Sequence, residues 1–272
     1  CIRVRIQEYE GDPFVHTTIA PHAPYTVNDA ALKRCAEISD KYGVPIHMHV
    51  NETAVEVSDS LRDHHERPID RLERLGLLNE RLIAVHSVHA SDGDITKMAA
   101  AHASVCHCPC SNLKLASGFA PIAKFLKAGI NLGIGTDGAA SNDKLDMLGE
   151  TRLAPMLAKA VAQDPTAAPV FAMLEAATLG GARALRWDAD IGSLEIGKAA
   201  DLFAIDLGTP ESLPVADPAA QILYSAGREC ITHTWVDGRL IMEKHARAAY
   251  PQTDALAAAA LCAQKWQSRL KN

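Results

Sequence analysis

The 272 residues carry 33 acidic and 27 basic side chains, a net charge of −6, with 48% hydrophobic and 22% charged residues, an ordinary globular composition with room for one large domain or one plus a small one. No basic stripe or polybasic run points to nucleic acid or a membrane surface, no apolar run approaches the ~20 residues that span a bilayer, and no signal peptide is expected from these residues. The seven cysteines are odd in number and fall mostly inside apparent strands and helices, which fits a reduced, cytoplasmic chain better than a disulfide framework.

The chain opens on Cys1 rather than Met and runs straight into Ile2-Arg3-Val4-Arg5-Ile6, which reads as the middle of something longer. A strand is predicted over 14–20, ending at Pro21-His22. A helix follows over 28–42, with Leu32, Cys35 and Ile38 as its apolar stripe and Gly43 as its stop. The next strand covers 46–50, after the turn signal Gly43-Val44-Pro45. Helical patterns occupy 54–65 and 69–75, closed by Gly76, and a third strand covers 82–86. A short helix over 92–101 leads to a strand over 104–108. A helix over 122–128 ends at Gly129 and leads to a fifth strand over 130–136. Cys106-His107-Cys108-Pro109-Cys110 lacks the wider spacing and second pair of a zinc site, so it reads as strand plus turn. Helices are predicted over 145–161 and 170–184. From residue 191 the chain turns to strands and turns, with a hairpin over 231–242 about Asp237-Gly238, and closes on an Ala-rich helix over 254–270.

Alternating strands and helices with apolar strands argue for a parallel sheet covered by helices. The chemically able residues fall just after strands, the polarity of a (β/α) barrel. No Gly-x-Gly-x-x-Gly follows a strand to support a dinucleotide site. In His47-Met48-His49-Val50-Asn51-Glu52-Thr53, the two histidines share a strand face, and His49 is nearer the strand's carboxyl end. Ala84-Val85-His86 and Gly135-Thr136-Asp137-Gly138 end two further strands in metal-competent residues. Three strand ends carrying His, His and Asp suggest one metal site at a barrel mouth, with Glu52 able to move protons beside it. The plain alternatives are an interior histidine for His49, a helix-first-turn glutamate for Glu52 and a turn aspartate for Asp137. His47 lies a layer deeper. His64 and His65 read as surface residues and His89 as solvated.

These stretches, with Ala20-Pro21-His22-Ala23-Pro24-Tyr25-Thr26-Val27, with Ser111-Asn112-Leu113-Lys114-Leu115-Ala116-Ser117-Gly118, with Gly135 through Glu150 and with Ile191 through Leu202, resemble the S-adenosylhomocysteine/5′-methylthioadenosine deaminases of the amidohydrolase superfamily. The resemblance covers nearly the whole chain. It implies an α/β fold: the later part of a metal-dependent (β/α)8 TIM barrel, about strands 4–8, over 1–189, and a small β-sandwich segment with a C-terminal helix over 190–272. The family's His-x-His at the first barrel strand has no counterpart here; by resemblance, His47-x-His49 belongs to the fifth strand. Asn51 replaces a histidine often seen in related members, and Cys110 stands where Glu is common.

The resemblance also implies roles. His49 and Asp137 bind one divalent metal, expected to be Zn2+. Glu52 is the proton shuttle and touches substrate, His86 orients or polarises the attacking hydroxide, Asp137 accepts a hydrogen bond from the attacking water, and His22 touches the nucleoside. Ser111, Asn112 and Lys114 shape a loop without chemistry. A metal-bound water has its pKa lowered from about 15.7 toward about 7, so hydrolytic deamination of an adenosine-type nucleoside at C6 follows, with ammonia released. The alternatives are a relative acting on a guanine, pterin or triazine ring, or an inactive barrel fragment. The expected partner is a small-molecule substrate, with no nucleic acid and no membrane. A sheet holding only its later strands would expose an apolar edge, leaving association into a homo-oligomer open.

Overall fold

The computed structural model describes residues 6–210, 212–243, 246–247, 261 and 264–265. The opening residues and, apart from those last three positions, the Ala-rich helix expected over 254–270 lie outside the described residues. The chain divides into two compact units, Cys1–Ser193 and Leu194–Asn272.

The first unit is built on four parallel strands, β1 (Ile46–Val50), β2 (Leu82–His86), β3 (Ser104–His107) and β4 (Leu132–Ile134), hydrogen-bonded in that order. Register runs Met48↔Ala84, Ala84↔Val105 and Val105↔Leu132, so one row of apolar side chains crosses the sheet. Helices α1 (Asp29–Tyr42), α2 (Ala54–His64), α3 (Pro68–Arg74), α4 (Asp92–Ala100), α5 (Pro109–Lys114), α6 (Ile122–Lys127), α7 (Met147–Ala162), α8 (Val170–Ala176) and α9 (Leu179–Ala184) connect or follow the strands. Local chemistry sets their ends. The Asn28 side chain accepts the Ala31 N–H and caps α1, and Gly43, at φ 66°, stops it in the left-handed region. Leu32, Ile46, Met48, Ile69, Leu72, Leu82, Met98, Phe125 and Met173 are all buried to below 2% exposure, each contributing about 1.5–3 kcal/mol of apolar burial.

Three expectations change. The strand over 14–20 reduces to a single parallel bridge, Ile19↔Ile46. Phe14 is 64% exposed and Val15 36%, so the earlier residues have no apolar face to pair against. The helix over 170–184 breaks at Thr178, whose φ of −128° and ψ of −95° are not helical. The break seats Gly180 directly on β4, where a Cβ would lie 2.2 Å from the Leu132 carbonyl oxygen. The turn after β3 is instead α5, which begins at Pro109, a residue preorganised for a first helical turn.

The second unit holds one antiparallel sheet among its described residues, in the order β5 (Leu202–Ile205), β6 (Ile231–Val236), β7 (Arg239–Glu243), β8 (Ala246–Arg247), and a short helix, α10 (Pro218–Tyr224). The β6–β7 turn places Asp237 at φ 49° and Gly238 at φ 70°, the paired positive φ that a two-residue hairpin requires. Among the described residues no helix is long and apolar enough to cross a membrane.

Candidate metal centre

The carboxyl ends of the parallel strands carry left-handed residues that are not glycine: Asn51 (φ 53°) after β1, His86 (φ 70°) at the end of β2 and Asp137 (φ 61°) after β4. Such backbone costs about 1–3 kcal/mol per residue and persists only where surrounding contacts impose it.

Those contacts are specific. His49 Nδ1 lies 2.6 Å from the His22 carbonyl oxygen. A carbonyl only accepts, so Nδ1 carries the proton and Nε2 keeps its lone pair, the ligand form of imidazole. His86 Nδ1 lies 2.7 Å from Asn112 Oδ1, and its buried Nε2 has no hydrogen-bond partner. The His49 and His86 rings stack with centroids 5.4 Å apart. Asp137 Oδ2 accepts from the Ser111 and Ser141 hydroxyls, both at 2.7 Å, and Oδ1 accepts from the Gly138 N–H at 2.7 Å. Burial pushes the Asp137 carboxyl up, but the hydrogen bonds from Ser141, Ser111 and Gly138 hold it below the usual aspartate range.

One ligand atom from each of His49, His86 and Asp137 lies within 4.8 Å of the others. Two imidazole nitrogens and a carboxylate oxygen are zinc-type donors. An unpartnered buried nitrogen such as His86 Nε2 costs about 1–3 kcal/mol, and a cation would satisfy it. The residues therefore fit a divalent metal. The expected ligands, His49 and Asp137, are brought together, and a ring nitrogen of His86 lies within the same 4.8 Å, near enough to face a metal-bound oxygen.

Glu52 Oε2 is 3.9 Å from His86 Nε2, and its Oε1 accepts from the Ser117 hydroxyl at 3.2 Å. It is not a helix-first-turn glutamate. Thr53 caps α2, and Glu56 occupies that turn, its carboxylate accepting the Asn51 and Glu52 N–H groups at 2.8 and 2.7 Å. Burial lifts the Glu56 carboxyl above its ordinary value, against those two hydrogen bonds. His22 is exposed; its ring hydrogen-bonds Thr26 at 3.0 Å and sits 4.9 Å from the His49 ring.

Ser111 and Asn112 do more than shape a loop: they hydrogen-bond the Asp137 and His86 side chains from behind, and a polar pair following Pro109 is the available signal. His89 is not simply solvated: its Nε2 lies 2.8 Å from the Ser117 carbonyl oxygen. Cys106, Cys108 and Cys110 are free thiols and form no metal-competent group among the described residues.

The model of the amidohydrolase family matches residues 2–241. The chain belongs to the amidohydrolase family. Among the relatives of this amidohydrolase, a protein from Syntrophobacter fumaroxidans named 5-methylthioadenosine/S-adenosylhomocysteine deaminase is 40% identical over 238 residues, covering 88% of this chain and 54% of the relative. One of the same name from Moorella thermoacetica is 42% identical over 234 residues, covering 86% and 55%. The chain thus spans about half the length of the curated relatives it matches. An adenosine deaminase from Xanthomonas campestris, solved with bound zinc, superposes with a TM-score of 0.93 at 46% identity, covering 97% of this amidohydrolase and 60% of that chain. A mutant atrazine chlorohydrolase from Arthrobacter aurescens, complexed with zinc and atraton, gives 0.89 at 26% identity, covering 96% and 58%.

Proposed function

We propose that this amidohydrolase is a metal-dependent aminohydrolase that removes the 6-amino group of adenosine-type nucleosides, with 5′-methylthioadenosine and S-adenosylhomocysteine as the substrate class. The observation that carries the reading is the meeting of His49, His86 and Asp137 donor atoms within 4.8 Å, with Glu52 at 3.9 Å from His86. The names and identities of the relatives support the substrate class.

His49 and Asp137 would hold the metal, expected to be zinc, with His86 beside them. A divalent cation there would supply Lewis acidity, lowering the pKa of a water toward about 7. Glu52 Oε2 takes one proton from the attacking water and gives it to the purine ring nitrogen, then takes the second proton from the oxygen now on C6 and gives it to the amino group, which leaves as ammonia while the C6–N bond breaks and C6=O forms. His86 Nε2 orients the attacking oxygen. Asp137, kept ionised by its three donors, accepts a hydrogen bond from the same oxygen. The exposed His22 ring, 4.9 Å from that of His49, meets the nucleoside. In this reading 1–189 is the catalytic portion of the barrel, and 190–272 comprises the β-sandwich segment and the expected C-terminal helix. The free thiols support a reducing, cytoplasmic setting.

The test is ammonia release by the full-length protein on 5′-methylthioadenosine, S-adenosylhomocysteine, adenosine, guanine, a pterin and a triazine. The proposal expects the two thio-nucleosides to give the highest kcat/KM. Preference for the triazine, the substrate type suggested by the chlorohydrolase likeness, would replace this reading with a ring hydrolase. Glu52→Gln should keep the metal and lose about 10²–10⁴ in kcat.

A further inference from the structure

Two successive side chains of α5 reach the metal centre. Ser111 donates to Asp137, and Asn112 Oδ1 meets His86 Nδ1 at 2.7 Å. Asn112 is 1% exposed. Its N–H donates to the Cys108 carbonyl at 3.0 Å, and its carbonyl accepts the Ser117 N–H at 2.8 Å. The helix is itself tied down. Glu150, 1% exposed, accepts the Cys110 N–H on Oε2 at 3.0 Å. Its Oε1 accepts from Asn142 Nδ2 at 2.7 Å, and Asn142 also donates to the Thr136 carbonyl at 2.9 Å. The buried carboxylate therefore bridges α5 to the segment that carries Asp137. Asn112 is left with one significant freedom, the orientation of its terminal amide.

We propose that Asn112 is a positioning residue: its amide oxygen holds His86 as the Nδ1–H tautomer and leaves the Nε2 lone pair facing Glu52 and the metal centre. The inference rests on the deaminase reading and deepens it. A neutral imidazole carries one ring proton. Donation from Nδ1 to Asn112 leaves Nε2 free to accept a proton or face a cation. The opposite amide orientation would set Nδ2–H against Nδ1 and force the ring proton onto Nε2. Both His86 Nε2 and Asn112 Nδ2 are buried without a hydrogen-bond partner, so either orientation leaves one orphan donor; the orientation seen keeps that donor on Asn112, away from the centre, whereas the opposite one would put it on Nε2, pointed at a centre that needs an acceptor. Asn112 touches no reacting atom; it acts through His86, as outer partners of metal-site histidines do.

The experiment is ¹⁵N-histidine NMR of the full-length protein, metal-free and zinc-loaded, with the His86 signals assigned by their loss in His86→Gln, alongside steady-state kinetics. Wild type should show a single Nδ1–H tautomer. Asn112→Asp keeps an acceptor and should keep that tautomer, with kcat within about fivefold of wild type; Asn112→Leu, similar in size without the acceptor, should lose it and lower kcat by about 10–100-fold. KM should move by less than about threefold in Asn112→Leu, since ground-state binding is untouched. Wild-type His86 protonated at Nε2 would overturn the proposal. So would an Asn112→Leu protein with an unchanged tautomer, a loss confined to KM, or Asn112→Asp falling as far as Asn112→Leu. The wild-type spectrum decides even if Asn112→Leu does not fold. If wild type releases ammonia from no nucleoside, the function fails while the spectrum still judges Asn112.

Discussion

Arg71→Ala should destabilise the protein by about 3–5 kcal/mol, mostly through two orphaned carbonyls rather than a broken ion pair. Arg71 is 2% exposed. Its Nη1 donates to the Pro24 carbonyl at 2.6 Å and its Nη2 to the Val27 carbonyl at 3.1 Å, while Nε reaches Asp29 at 2.9 Å. Hydrogen bonds from a charged group contribute about 1.5–3 kcal/mol each, so the two carbonyls account for the bulk of the loss. The Asp29 side chain is 39% exposed and keeps a second partner in Arg74, which limits its share to about 0–1 kcal/mol. The segment held this way includes His22, whose carbonyl sets the His49 tautomer. Urea unfolding of the full-length protein at fixed metal load measures both variants. Asp29→Asn should cost less than about 1 kcal/mol, and Arg71→Ala should also speed hydrogen exchange over residues 22–28. Equal losses in the two variants would show that the ion pair dominates and refute the reasoning.

Gly180→Ala should cost about 3 kcal/mol or more, because a 2.2 Å approach to the Leu132 carbonyl has no rotamer that relieves it; a melting temperature close to wild type would contradict the packing of α9 on β4. Glu56→Gln tests the raised carboxyl pKa. A folded-state pKa above the unfolded 4.5 means the native state holds the proton more tightly, so this group's contribution is fully present below 4.5 and lost as pH rises through the folded value. The stability of wild type relative to Glu56→Gln should therefore decline from pH 4 toward neutrality and level off above it, and a flat or rising difference would count against burial as the cause. Replacing both Ser111 and Ser141 with alanine strips two donors from Asp137 and should weaken zinc binding about 10–100-fold in a chelator competition, whereas unchanged affinity would mean the carboxylate does not hold the ion.

Local chemistry made much of the scaffold readable from the chain alone. Asn28 and Gly43 bracket α1, Asp237-Gly238 forms its hairpin, and His49, His86 and Asp137 stand at or just after strand ends, because caps, turns and periodicity act over a few residues. Tertiary packing decided the rest. Whether 14–20 pairs as a strand depended on an apolar face supplied by other segments, and the break at Thr178 depended on how closely Gly180 approaches Leu132. The tautomers of His49 and His86 hang on partners 27 and 26 residues away, one of the three donors to Asp137 comes from 26 residues away, and the seat of Glu52 depends on a residue 65 away. A side chain's type shows what it can donate or accept; which partner it meets is settled only when the strands align and bring distant loops to the same mouth.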